Sequence, residues 1–447
     1  MIQAEALKIL KKGHSVFLTG AAGSGKTYLL NQFIAFAREN GLGVGITAST
    51  GIAATHLGGL TIHSWAGIGI DRELKDSDIR MIAADRRVAR RFAKNDILII
   101  DEISMLDADR LSLVDRVARA ARASWEPFGG MQVVFCGDFF QLPPVAKAGE
   151  KPPRFAFHSS AWRDLNPKVC YLTEQFRQAD KGFFRLLNAI RQAEISEETK
   201  RSLADRQGVR LDEKRITKLY CHNINVDAEN ARELANLPGP ELVFQMESAG
   251  ISSVAAALKK GCLAAETLVL KKNALVMFVK NNFEKGYVNG TLGRINGFDQ
   301  FGRPVVEIAN GRQIVAAPEN WMIEENGRVL AKISQVPLRL AWAITIHKSQ
   351  GMTLDAAEID LSNAFEKGMG YVALSRVRSL SGMRLLGFND MALAVHPEIS
   401  ALDREWQRLS EETIGELKVA PKKPAKVRAV RKARPKKRHF ANPDLKG

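Results

Sequence analysis

The segment GAAGSGKT, residues 20–27, follows the apolar run SVFLT and leads into YLLNQFIAFAREN. It fits the pattern GxxxxGK[ST], which has structural meaning only between a strand and a helix. Glycines let successive backbone N–H groups turn inward around phosphate oxygens, and the helix that follows adds the positive end of its dipole. A chain with this turn is committed to an α/β sheet whose strand ends meet at one edge. Lys26 is placed to bridge the β- and γ-phosphates of a nucleotide, and Thr27 to hold Mg²⁺ through its hydroxyl. Gly20, Ala21, Ala22, Gly23, Ser24, Gly25, Lys26, Thr27 and Tyr28 therefore form the expected ATP-binding segment.

A second strand end supplies acid. In ILIIDEIS, four apolar residues carry Asp101 and Glu102 to the C-terminal tip of a buried strand, where α/β proteins place their ligands. Asp101 is expected to bind Mg²⁺ through water, and Glu102 to activate the attacking water as general base. Hydrolysis of ATP or a similar nucleotide, with Mg²⁺ as cofactor, is the chemistry these residues predict.

The surrounding pattern agrees. Over the first 170 residues, SVFLTG, VGITAS, DILIID and MQVVFCGD alternate with helical stretches, which predicts a parallel sheet covered on both faces. From about 273 to 329, VMFV, GRINGF, PVVEI and RQIVAA follow one another closely with Gly and Asn at the turns, as in a small β-barrel module. From Gln335 onward the α/β style returns, so the β-rich stretch reads as an insertion in a second α/β domain.

Charge narrows the partner class. The formal net charge is +16, but twelve Lys or Arg and one Asp lie from Lys418 onward, which leaves +5 for the rest of the 447 residues. A mildly basic body with a strongly basic, Pro-rich and disordered tail points to a polyanion, and nucleic acid leads. Cys136, Cys170, Cys221 and Cys262 lack CxxC spacing, which disfavours a zinc site or a disulfide framework. No apolar run approaches the roughly 18 residues of a membrane helix, and MIQAEALKILKKG lacks the apolar core of a signal peptide. The expectation is a cytoplasmic protein, nucleoid-associated in a bacterium, with no membrane partner.

TASTGIAATHLGGLTIHSWAGI (47–68), DEIS, PFGGMQVVFCGDFFQLPPV, LTEQFRQ, WAITIHKSQGMTLD and GYVALSRVRS occur in that order. With Gln3 at their head, they resemble the motif series of the Pif (petite integration frequency) family of superfamily 1 DNA helicases, in its bacterial form. DRVARAARASWEPFGGMQ, residues 115–132, resembles the stretch that separates this family from its RecD-like cousins. The resemblance implies two RecA-like P-loop-type domains, at 1–170 and at 171–235 with 334–400. It implies an inserted module at 236–333 with a Src-homology-like barrel, a wedge-like insertion at about 66–85, a C-terminal helix at 401–416 and a disordered basic tail at 417–447. The activity implied is that of an ATP-driven monomeric motor moving 5′ to 3′ on single-stranded DNA and unwinding duplex or forked DNA. G-quadruplexes and RNA–DNA hybrids are further implied substrates.

The resemblance also assigns roles to residues. Gln3 reads adenine through its amide, Gly351 borders the nucleotide, and Arg177 and Arg376 reach the γ-phosphate as arginine fingers, with Arg378 the less favoured candidate. Thr50, Gly51, His63 and Ser64 in the first domain, with His347, Lys348 and Ser349 in the second, grip single-stranded DNA. Such short donors suit phosphate oxygens and carry no base code. In VVFCGDFFQLPPV, Asp138 and Gln141 sit at a strand tip beside DEIS, with Gln141 toward the γ-phosphate. Phe139, Phe140 and Pro143 either extend toward passing bases or, for the two rings, form core under a rigid loop. Two competing functions stay open: a RecD-like recombination helicase subunit, and a nucleic-acid-stimulated ATPase switch that does not unwind.

Overall fold

The computed structural model describes residues 1–419 apart from 70–71, 145–151, 178–179, 212–215, 223, 283, 309–310 and 326–327. The tail from 420 onward, with its expected disorder and nucleic-acid contact, lies outside the described residues. The first half runs α1 (Gln3–Lys11), β1 (Val16–Gly20), α2 (Lys26–Glu39), β2 (Val44–Ala48), α3 (Gly51–His56), β3 (Leu60–Thr61), α4 (Ile62–Ala66), α5 (Asp76–Ala84) and α6 (Arg86–Lys94). It continues with β4 (Ile97–Asp101), α7 (Ala108–Arg122), β5 (Gln132–Cys136), α8 (Ser160–Leu165) and β6 (Lys168–Leu172).

These six strands form one parallel sheet in the order β3-β2-β4-β5-β1-β6. Alternate side chains of β1 show why both faces need cover. Val16 and Leu18 pack with Ile9 and Leu10 of α1 and Leu29, Leu30 and Phe33 of α2. Phe17 points the other way and joins Leu111, Val114 and Val117 of α7. Each such side chain contributes about 1.5–3 kcal/mol on burial, so the apolar runs leave the sheet no other arrangement. Helices start where short polar acceptors stand: Asp85 takes Arg87 N at 2.9 Å, Asp107 takes Arg110 N at 2.9 Å and Ser159 takes Trp162 N at 3.0 Å. The second half of the wedge-like segment is α5, tied to α7 by Arg116 and Asp76 at 2.7 Å.

The loop after β5 settles the open reading of its two rings. Phe139 and Phe140 are each 2% exposed. Phe139 lies among Phe17, Phe155, Phe157, Trp162 and Trp406, with ring centroids 5.0–6.1 Å away. Phe140 lies under the Arg191 guanidinium at 4.3 Å. Neither presents a face to a base, so the expected DNA contact of Phe139 is corrected to a core role, while Pro143 stays half-buried on the loop. Phe139→Ala is expected to cost about 3–5 kcal/mol of stability. A denaturant midpoint shifted by that amount, measured beside single-stranded DNA binding of the folded fraction, checks this; lost binding with unchanged stability would reinstate the stacking role.

The second half contains α9 (Lys181–Arg191), α10 (Glu197–Ala204), β7 (Thr217–Tyr220) and α11 (Ile224–Ala235). A β-rich stretch follows: β8 (Leu242–Gln245), β9 (Glu247–Gly250), α12 (Ser252–Gly261), β10 (Thr267–Leu270), β11 (Leu275–Phe278), β12 (Leu292–Phe298) and β13 (Pro304–Ile308). It ends with β14 (Gln313–Val315), β15 (Glu319–Glu325), β16 (Arg328–Gln335) and β17 (Leu338–Leu340). The chain closes with β18 (Ala343–Thr345), β19 (Ala357–Leu361), α13 (Met369–Leu374), β20 (Met383–Phe388), α14 (Asp390–Leu393) and α15 (Pro397–Val419).

A second parallel sheet has the order β18-β7-β19-β20, drawing strands from both sides of the β-rich stretch, which is therefore inserted. The insertion contains an antiparallel sheet, β14-β13-β12-β11-β17, around Phe278, Tyr287, Ile295, Val306 and Leu338. Because Val276 pairs with Leu340 and Phe278 with Leu338, that sheet runs past residue 333. Helix α15 is longer at both ends than the expected 401–416 and includes residues 417–419 of the expected tail. It returns to the first sheet, where Ser410 Oγ accepts from Tyr171 N at 3.0 Å and the Trp406 ring stands 5.3 Å from Phe17. The edge strand β6 is covered in this way.

Candidate active site

The C-terminal ends of β1 and β4 open into a cleft of about 480 Å³ that also takes residues from the second parallel-sheet unit. Lys26, Thr27 and Tyr28 line one wall, with Asp101, Glu102 and Gln141 beside them. Arg177, Gly351, Arg376 and Arg378 line the facing wall. Residues separated by 350 positions thus meet as the motifs require.

The P-loop adopts the nested backbone its glycines permit. Gly25 has φ +82° at the start of α2, a value strained for residues with a Cβ. Lys26 Nζ donates to Gly20 O at 2.7 Å and Ala21 O at 3.1 Å, so the ammonium stands over the loop. Gln3 is not in the cleft lining; its Nε2 donates to Ser24 O and Gly25 O, both at 3.3 Å, bracing the loop. Ser24 Oγ is buried without a hydrogen-bond partner. An orphaned hydroxyl in a loop that turns N–H groups inward suits an anionic ligand.

Glu102 is held in left-handed backbone, φ 50° and ψ 46°, and Ser49 Oγ donates to its carbonyl at 2.6 Å. Strain of this kind costs on the order of 1–3 kcal/mol and persists where surrounding structure fixes it. Burial, then the adjacent Asp101, raises the Glu102 carboxyl to about 7, against the opposing pull of Lys26 and Arg376. Burial also raises Asp101, opposed by a hydrogen bond from Cys136 and by Lys26. Asp101, buried at the strand tip, and Thr27 line the same cleft, and a carboxylate with a hydroxyl is an oxygen donor set that fits Mg²⁺.

The facing wall is cationic. Burial and the neighbouring Arg376 lower Arg177 to about 9, and burial lowers Arg376 as well. Both converge on Ser375: Arg177 Nη1 donates to its carbonyl at 3.1 Å and Arg376 Nη2 to its hydroxyl at 2.8 Å. Arg378 pairs with Asp355 at 2.9 Å. Crowded guanidinium groups are relieved by an anion between them, which is what a γ-phosphate would be.

Several residues of the quoted motifs take part in ways the motifs alone did not show. Phe176, 63% exposed, lines the cleft, and so does Gln350, whose Nε2 is buried without a partner. Ala22, in the P-loop, donates its N–H to Tyr371 Oη at 2.9 Å and accepts from Gln175 Nε2 at 3.0 Å. Tyr371 lies 3.4 Å from Asp138, a fully buried acid that Arg191 pairs at 3.1 Å and that also takes Gln141 Nε2 at 3.4 Å. Arg191 is the one of these outside the quoted motifs, and nothing in the sequence singled it out.

The expected DNA grips divide. His63 and Ser64 line a separate groove of about 760 Å³ with Arg87, Arg91 and Ser253. Burial, then Arg110, pushes the His63 imidazole down to about 4, so it is a neutral donor near pH 7. Thr50 and His347 instead line the nucleotide cleft, Thr50 as the cap of α3, accepting from Ala53 N at 3.3 Å. Gly51 packs on Gly261 of α12, where an added Cβ would meet backbone at 2.7 Å. Lys348 is half-buried. Ser349 is corrected: it is 0% exposed and its Oγ donates to Ile346 O at 2.7 Å, so it shapes the turn and does not face a ligand.

Comparison with known proteins decides the family. The model of the PIF1-like helicase family matches residues 3–201. The ATP-dependent DNA helicase Pif1 of Psychrobacter is 44% identical over 92% of this chain and 72% of its own length. The chain belongs to the PIF1-like helicase family. The human ATP-dependent DNA helicase PIF1 is 41% identical over 89% of the chain, which spans only 62% of that relative. Among solved structures, Pif1 from Candida albicans has 35% identity and a TM-score of 0.72 over 90% of this chain and 98% of its own. Pif1 from Bacteroides in complex with ADP-AlF4 has 30% identity and a TM-score of 0.77 over 92% and 97%. The Bacteroides protein with ADP-AlF3 and single-stranded DNA, at the same identity over 92% and 99%, has a TM-score of 0.61. A helicase of this family is an ATP-hydrolysing P-loop enzyme, and among the described residues no helix is long and apolar enough to cross a membrane.

Proposed function

We propose that this chain is an ATP-dependent DNA helicase that translocates 5′ to 3′ on single-stranded DNA and opens duplex ahead of it. The observation that carries the reading is the cleft in which Lys26, Glu102 and Arg376, from two parallel-sheet units, face one another. Lys26 and the P-loop amides bind the phosphates, Glu102 takes a proton from the attacking water, and Arg177 and Arg376 neutralise charge that spreads over the γ-phosphoryl oxygens. Thr27 and Asp101 would hold Mg²⁺, which when bound screens the phosphate charge.

Binding that draws the facing arginines toward the P-loop also moves whatever each unit grips. The lower TM-score against the DNA-bound Bacteroides structure, at equal coverage, supports a change in how the units sit when DNA is engaged. His63 and Ser64 grip in the first unit and His347 in the second. The inserted module, residues 236–340, is read as a Src-homology-like barrel beside the strand, and monomeric action fits two arginine fingers in one chain. G-quadruplexes and RNA–DNA hybrids are accepted because such grips read backbone rather than bases.

The test is ATP-driven unwinding of 5′-tailed, 3′-tailed and forked duplexes. The 5′-tailed and forked substrates are expected to open and the 3′-tailed one to stay closed. Opening only from the 3′ tail overturns the polarity, and DNA-stimulated hydrolysis without opening would favour the ATPase switch.

A further inference from the structure

With Phe139 and Phe140 in the core, the surface for unpaired bases must lie elsewhere, and the second parallel sheet offers one. Its neighbouring strands β18, β7 and β19 each end by presenting a ring at the same edge. The chain leaves β7 through His222, β18 through His347 and β19 through Phe365. The His222 and Phe365 rings are 4.9 Å apart and inclined by 22°, and those of His347 and Phe365 are 6.3 Å apart and inclined by 18°. Both histidine rings are thus close to parallel with Phe365, at the carboxyl ends of parallel strands, where this class of sheet binds its ligands.

The stack is anchored at its backbone while its central ring stays half exposed. Ala364 is 5% exposed and its carbonyl accepts from Asn389 Nδ2 at 2.8 Å, which fixes the backbone just before Phe365. Ile346 N donates to Tyr220 O at 3.0 Å and Cys221 Sγ to Asp360 O at 3.4 Å, so the three strand ends are tied to one another. Phe365 itself is 52% exposed, a poor position for a ring that serves only packing. His347 links the stack to the nucleotide cleft, which it also lines.

We propose that Phe365, backed by His222 and His347, is a stacking platform for an unpaired nucleobase of single-stranded DNA. Every base has a π-face, so the contact is tolerant of sequence and suits a motor that must step over any base. Because His347 also lines the ATP cleft, a base on Phe365 is held by the unit that moves when nucleotide binds. The inference rests on the reading of the chain as a single-stranded DNA motor.

The experiment compares wild type and Phe365→Ala for binding to a plain oligonucleotide and to the same oligonucleotide with abasic sites, over a range of salt. Phe365→Ala is expected to weaken the plain oligonucleotide about 5- to 150-fold. It is expected to leave the abasic one within twofold and the log–log salt slope unchanged, since no phosphate contact is lost. Phe365→Trp should restore binding. Unchanged affinity, or an equal loss on both oligonucleotides, overturns the platform. Failure of the wild-type protein to bind either one overturns the motor reading and this inference with it.

Discussion

Alanine at Arg376 is expected to lower DNA-stimulated ATP hydrolysis by about 10³- to 10⁵-fold, the range an arginine finger supplies in phosphoryl transfer. Arg376 is 2% exposed, and its Nε donates to Val372 O at 2.8 Å while Nη2 donates to Ser375 Oγ at 2.8 Å. A guanidinium held at two points is aimed before the reaction begins, so little reorganisation is left for the transition state. Helix α13, which precedes it, is buried along its whole length and is pinned to the P-loop through Tyr371 and Ala22 at 2.9 Å. At its start, Gly368 has φ +82° and approaches Phe140 O and Gln141 O so closely that a Cβ would come within 2.6 Å of both. The finger is therefore placed relative to both the P-loop and the loop after β5. Lysine at 376 would keep the charge and lose the fork. Steady-state turnover with saturating single-stranded DNA checks this, and a loss under tenfold would remove Arg376 from the finger role.

Lys26→Ala is expected to lower turnover by about 10²- to 10³-fold or more, as when one donor to a developing oxyanion is removed. Its ammonium stands over Gly20 O and Ala21 O and opposes the raised carboxyls of Asp101 and, with Arg376, of Glu102. Removing it leaves the two adjacent acids without that cation at the cleft. DNA affinity without nucleotide should stay within about threefold, because the groove of His63 and Ser64 is separate from the P-loop. Filter binding and turnover measured on one preparation distinguish this from unfolding, which would abolish both.

Which residues were legible in advance follows from how local their determinants are. The P-loop and DEIS are strand-to-turn transitions within eight residues, so apolar runs and glycines sufficed to put Lys26, Asp101 and Glu102 at strand ends, and all three line the cleft. Motif order extended this to Arg177, Gln141, Gly351 and Arg376, which share the cleft although their contacts are long-range. Phe139 and Ser349 show the limit. Both stand in polar or turn-rich stretches, and both are buried because partners remote in sequence or a local turn claim them: Trp406 from α15 for the ring, Ile346 O for the hydroxyl.

What the amino-acid sequence determined alone is the chemistry and the sheet type. A glycine turn, two adjacent acids and continuous apolar strands have few structural solutions, and each is decided by neighbours along the chain. Tertiary structure decided which rings are core and which face solvent, how far the insertion extends, where α15 returns and how Ala22, Tyr371, Asp138 and Arg191 connect. Burial depends on what packs against a residue, and here the packing partner is often more than two hundred positions away.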